Sequence, residues 1–221
     1  DLSVLTARFD PLKPFLPWVL LALGIAAPFA LSAYDLNLLA RFMAMGILAL
    51  GLVLIWGHGG ILSLGQGVFF GLGGYAIAIH MKLAGLPQGE IPDFMVWSGR
   101  TSLPLWWQPF ASPVFTLAAI LIIPTLVGAL FSWAVFHRRV GGTYFALITQ
   151  ALALAFSTLI ISRQDVTGGF NGLTDFYSVF GFGLASPGTG SGLYWLTLAV
   201  LCVAFIGLRW LLASRFGMLL R

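Results

Sequence analysis

The sequence predicts an all-α protein, a bundle of about six helices that cross a membrane. Of 221 residues, 59% are hydrophobic and only 8% are charged, the mean hydropathy is +0.98, and apolar runs of about 20 residues recur along the chain. A water-soluble domain keeps roughly a quarter of its residues charged. With 11 basic and 7 acidic residues, the net charge of +4 therefore speaks to membrane topology and not to nucleic-acid binding.

The predicted spans are 15–33, 38–56, 60–80, 113–136, 143–161 and 192–213, in a single transmembrane domain over 1–221. In the first, Lys13 precedes an apolar run ending Ala30-Leu31-Ser32-Ala33, but the run is too long for a secretory signal core and reads as an anchor. Pro28 should bend it, and Ala22, Ala26 and Ala30 form a small-residue packing stripe. The chain begins at Asp1 rather than Met, so part of the native amino terminus is expected to precede it. Arg41 opens the second span and Arg209 nears the end of the sixth, where both can extend to the headgroups.

The third span is the most informative. From Trp56 to His80 the chain reads as one glycine-rich helix, in which Gly67, Gly71, Gly73 and Gly74 would admit a neighbouring helix at backbone distance. Ser63 and Gln66 place polar groups at the same depth, tolerated in hydrocarbon only against protein or a watery cavity. Ser63, Gln66, Gly67 and Gly71 are thus candidates to line a solute pathway. The fourth span carries Pro124 and the pair Gly128 and Ser132, and the fifth carries Ala151 and Ala155 with Gln150 near its middle. A lone amide there needs an interhelical hydrogen bond or a place on the pathway. Cys202, the single cysteine, lies in the sixth span and excludes an intramolecular disulfide.

Trp18, Tyr34, Trp56, Trp106, Trp107, Tyr144, Tyr194, Trp195 and Trp210 fall near span ends, as interfacial anchors do. His58 and His80 also fall at span ends, where contact with water is expected, and no third ligand sits at metal spacing. The basic groups His137-Arg138-Arg139 and Arg209, Arg215 and Arg221 should be cytoplasmic. Six spans then place Arg8 and Lys13 on that side and the 82–112 and 162–191 connections outside. In those connections Lys82 and Arg100 offset Glu90 and Asp93, and Arg163 faces Asp165 and Asp175.

The 82–112 connection, rich in proline and tryptophan, is too apolar for a plain linker and should fold onto the membrane or a partner. Thr167-Gly168-Gly169-Phe170-Asn171-Gly172-Leu173 has the composition of a tight irregular turn. On the outer face, Thr167, Gly168, Gly169, Asn171 and Gly172 are candidates for a docking or gating loop. No span holds a carboxylate, which argues against proton or sodium coupling. No nucleotide-binding, zinc-protease or serine-nucleophile motif occurs, so the chain carries no catalytic residues of its own.

Three stretches in order, Gly59–Tyr75, Val140–Ala151 and Thr167–Leu173, resemble permease subunits of ATP-binding-cassette importers for branched-chain amino acids and urea. Ile91–Trp97 and Thr167–Phe176 are most similar to the urea branch, and Gln66 stands where many members carry histidine. The resemblance implies a bacterial inner-membrane protein that pairs with a second permease subunit, receives solute from an extracytoplasmic binding protein, and is driven by two cytoplasmic ATPase subunits that bind the ATP. It also implies that the permease continues beyond Arg221 into a segment that meets the ATPase. The alternative reading is a stand-alone channel or facilitator for a small polar solute.

Overall fold

The computed structural model describes residues 15–87, 89–137, 142–214 and 217. Its helices are α1 (Leu16–Ala30), α2 (Ala33–Leu52), α3 (Gln66–Ala84), α4 (Asp93–Trp97), α5 (Pro113–His137), α6 (Thr143–Ser162), α7 (Gln164–Thr167) and α8 (Pro187–Ala213). A two-stranded hairpin, β1 (Ser178–Val179) and β2 (Phe182–Gly183), precedes α8. Arg8, Lys13, Arg138, Arg139, Arg215 and Arg221, on which much of the charge pattern rests, lie outside the described residues.

The all-α membrane bundle predicted from composition is the observed architecture. Among the described residues, five helices are long and apolar enough to span: Ala33–His58, Gln66–Ala84, Pro113–His137, Tyr144–Ser162 and Gly188–Ala213. The predicted first span is the correction, because α1 is only 15 residues long and ends where Leu31 turns extended and Ser32 starts the next helix. Ser32 explains that early start. Its hydroxyl accepts from the Asp35 backbone N–H at 3.3 Å and donates to the Asp35 carboxylate at 2.6 Å, a cap reinforced by the negative charge in the first turn. As a consequence Arg41 lies two turns inside α2 instead of at its mouth.

The helices pair in two sets: α2 packs along α8, and α3 packs along α5. α6 leans on α3, and α1 is held at one crossing. There the buried Tyr194 hydroxyl of α8 donates to the Gly24 carbonyl at 2.7 Å, with Ala27, Leu36 and Leu198 closing round it. The buried stripe of α1 is thus Gly24 and Ala27, whereas Ala22, Ala26 and Ala30 remain largely exposed. Pro28 and Pro124 sit inside continuous helices.

One end of the bundle carries a cap. α4 and the 3₁₀ turn Gln108–Ala111 fold back on α3 and α5, burying Met95, Trp107 and Phe110 against Ala76, Ile79 and Ala119. The apolar 82–112 connection is therefore a small core in its own right, and α3 runs into it as far as Ala84. His80, expected in contact with water, is buried in this core: its Nδ1 donates to the Phe110 carbonyl at 2.7 Å, and its ring lies 5.0 Å from that of Phe180. Phe180 sits in the tight turn of the β1–β2 hairpin, at φ +46 beside Gly181 at φ +87, the backbone a two-residue hairpin requires.

Candidate functional site

The first departure from the predicted pathway helix lies between α2 and α3. Trp56 and His58 belong to a π-helical turn, Val53–His58, that ends the second span, and residues 59–65 are not helical. Gly60 at φ +63 turns the chain back into the bundle. Leu64 then docks on α6, its N–H donating to Thr149 Oγ1 at 3.0 Å, about 9 Å along the helix from Thr143 at 1.5 Å per residue. Gly65 packs so tightly there that a Cβ would lie 3.0 Å from the Thr149 carbonyl. Irregular backbone at this depth survives only where protein satisfies it. Ser63 is buried in this re-entrant segment, and Gln66 opens α3 beside Gly51 of α2.

Thr149, overlooked beside Gln150, is the polar residue that organises the segment, since it receives Leu64 and donates to the Ala146 carbonyl at 2.9 Å. Gln150 points to the exposed flank of α6, away from Ser63 and Gln66. Thr149→Val keeps the shape but strands the Leu64 N–H, and should cost about 1–3 kcal/mol, read as lower thermal stability of the permease in lipid nanodiscs. Thr149→Ser should restore it.

The glycines of α3 divide into two faces. A Cβ at Gly73 would sit 3.6 Å from the Ile120 carbonyl of α5, the close approach the sequence predicts. Gly71 faces Phe156 of α6 at 3.6 Å, while Gly67 and Gly74 meet nothing within 4 Å. They leave space where a side chain would stand. Beside Gly71 and Gly74 runs a groove of about 310 Å³, bounded by Phe70, Tyr75 and Ala78 of α3 and by Gly172, Leu173 and Phe176 of the loop after α7.

The loop roof is built by the predicted Thr167–Gly172 turn. Thr167 Oγ1 donates to the Ile160 carbonyl at 2.6 Å and to the Arg163 carbonyl at 2.8 Å, and accepts from the Gly169 N–H at 3.3 Å. Gly168, Gly169 and Gly172 all adopt positive φ, at +77, +64 and +68, which side chains resist. Two α3 side chains tie the roof down: Tyr75 donates to the Thr167 carbonyl at 3.3 Å and Lys82 Nζ to the Thr174 carbonyl at 3.0 Å. Lys82, expected in the open connection, is buried, with Asp175 3.9 Å away. Asn171 is exposed. The sequence signalled the loop and Gly71, and Tyr75, Lys82 and Phe176 lay in or beside those stretches, but nothing local showed that Tyr75 and Lys82 reach across to the loop carbonyls.

Arg100 of the cap joins the two connections through Asp165 of α7, with Nη2 and Nε at 2.6 and 3.0 Å from Oδ2, and Arg163 binds the other carboxylate oxygen at 3.2 Å. Hydrogen bonds from Arg100 and then Arg163 hold the Asp165 carboxyl below its ordinary pKa. Folding therefore gains from this group above its ordinary pKa, and the gain is lost as pH falls through the lowered folded value. Thermal stability should be insensitive to this pair from neutral pH down to about pH 4 and drop below it. Asp165→Asn should remove that acid step and cost about 1 kcal/mol at neutral pH.

The fold is that of a polytopic membrane helix bundle with an irregular break between α2 and α3, a groove beside the glycines of α3 and a capped end. The chain belongs to the family described as branched-chain amino acid transport system / permease component, whose model matches residues 34–221. It is 29% identical over 165 residues to the high-affinity branched-chain amino acid transport system permease protein LivM of Salmonella typhimurium, covering 75% of this chain and 32% of that protein. To the LivM protein of Escherichia coli it is 28% identical over 191 residues, 86% of this chain and 38% of that protein. The chain thus spans about a third of the length of the curated relatives it matches. No solved structure matches it.

Proposed function

We propose that this chain forms part of a permease subunit of an ATP-driven importer, and that the groove between α3 and the Thr167–Phe176 loop is a stretch of its solute path. The observation that carries this reading is the glycine face of α3, where Gly67 and Gly74 leave open space in a segment the permease family model covers. Ser63 and Gln66, at the break just before that face, would extend the route. Gln150, on the outer flank of α6, would serve a contact with the second permease subunit.

The solute favoured by the lining is an amino acid with an aliphatic side chain, because Phe70, Leu173 and Phe176 offer apolar surface that urea cannot use. Ile91–Trp97, where the likeness to urea permeases is strongest, lies in the cap around buried Met95 and does not touch the groove, so it bears on packing and not on recognition. The basic segments support an inner-membrane orientation with Arg221 and the His137-Arg138-Arg139 segment cytoplasmic, and the amino terminus would share that side where α1 crosses as well, since the five longer spans alone would leave it opposite Arg221. The Thr167–Gly172 roof would then face an extracytoplasmic binding protein, and two ATPase subunits binding ATP would work at the opposite end.

The test is uptake by vesicles holding the full permease pair and its ATPases, with labelled leucine and labelled urea offered separately. ATP-dependent leucine uptake supports the proposal. Uptake of urea alone would shift the substrate, and downhill flux without ATP would favour the channel reading.

A further inference from the structure

We propose that the outer surface of the cap, formed by Val96, Trp97, Leu105 and Trp106, is a membrane anchor that lies in the interfacial layer of the leaflet at that end of the bundle. The cap has two faces. Inward, Met95, Trp107 and Phe110 fill the core over α3 and α5. Outward, Trp97 and Leu105 are 85% and 82% exposed, and Val96 and Trp106 are 52% and 50% exposed.

Position and charge together name the occupant. The cap joins α5 directly, with Ala111 ending the 3₁₀ turn and Pro113 beginning the helix. At 25 residues, α5 is about 37 Å long, longer than the hydrocarbon core of roughly 30 Å, so its ends reach the headgroup layer. Its first turns present Val114, Leu117 and Leu121 outward, at i, i+3 and i+7, as a lipid-facing stripe. Leu105 and Trp106 precede that stripe by nine and eight residues, joined to it through the 3₁₀ turn. Two charged residues belong to the cap between 93 and 112: Arg100, whose guanidinium is turned to Asp165, and Asp93, exposed at the start of α4. A surface for a soluble partner carries a polar rim, and here Arg163 and Asp175 supply exposed charge on the neighbouring loop instead. Two tryptophans and a leucine with a single free carboxylate at the edge, Asp93, suit the interfacial layer, where an indole buries its ring and keeps its N–H wet.

An anchored cap would hold its Arg100–Asp165 link, and so the groove roof, at fixed depth while the helices below rearrange. This inference stands whichever solute the groove carries.

Conservative variants test it without endangering the fold. Trp97→Phe and Trp106→Phe, made in the full permease reconstituted into vesicles, each remove one indole, and the emission lost relative to wild type isolates that residue. Phosphatidylcholine brominated near the headgroup end of its chains should quench that component by roughly half, while aqueous iodide should leave it nearly unchanged. Trp133→Phe, on the lipid-facing flank of α5, calibrates the lipid quenching. Quenching by iodide and not by bromolipid would place the cap in water and overturn the anchor. Protection from both quenchers would mean that protein covers the patch, and would overturn it equally.

Discussion

Gly74→Phe should reduce solute uptake at least about tenfold, the equivalent of roughly 1.4 kcal/mol of barrier, with no loss of protein in the membrane. A Cβ at Gly74 meets nothing within 4 Å, so the helix accepts the side chain, and replacing glycine inside a helix improves its intrinsic propensity by a few tenths of a kcal/mol. The phenyl ring then occupies a groove of only about 310 Å³. Uptake assays paired with quantitation of membrane-inserted permease separate blockage from misfolding. Gly73→Phe is the contrast, since its Cβ would face the Ile120 carbonyl at 3.6 Å and a ring there must push α5 away, lowering abundance as well as uptake. Normal uptake by Gly74→Phe would remove the groove from the solute path.

Gly168→Ala should destabilise the roof by about 2–4 kcal/mol, combining the cost of positive φ for a side chain with a steric collision. Gly168 stands at φ +77, and a Cβ there would strike the Gly172 carbonyl. Both partners are backbone, so no rotamer change relieves the contact. Gly172→Ala has open space around its Cβ but a backbone, φ +68 and ψ −164, that essentially only glycine adopts, and should cost about 1–3 kcal/mol. Limited proteolysis of the loop and uptake measured together should rank Gly168→Ala below Gly172→Ala, because only the first adds a collision to backbone strain. Equal effects would show that backbone strain alone, and not the Gly168 to Gly172 closure, holds the roof.

Between 113 and 162 the predicted boundaries of two spans agree with α5 and α6 to within a residue, because each is a long apolar run closed by polar or glycine residues and needs no partner to be read. Two other boundaries moved for local reasons that are legible afterwards: Ser32 and Asp35 cap α2 five residues before its predicted start, and the short run before Leu31 leaves α1 below spanning length.

What the sequence determined by itself was the solvent. Composition and periodicity state that these helices face hydrocarbon, where every backbone group must be satisfied within the chain, and that glycine gathers on one of them. It also marked the Thr167–Gly172 turn, because glycine and threonine signal unusual backbone without reference to anything distant. Tertiary structure alone decided which glycines make contact and which leave space, since Gly73 and Gly74 are adjacent and differ only in what stands opposite. It alone broke the Trp56–His80 run, because the acceptor that lets residues 59–65 leave the helix is Thr149, 85 positions from Leu64. In a membrane a helix can be interrupted only where another segment takes up the freed hydrogen bonds, and that partner is chosen by packing, which no local pattern records.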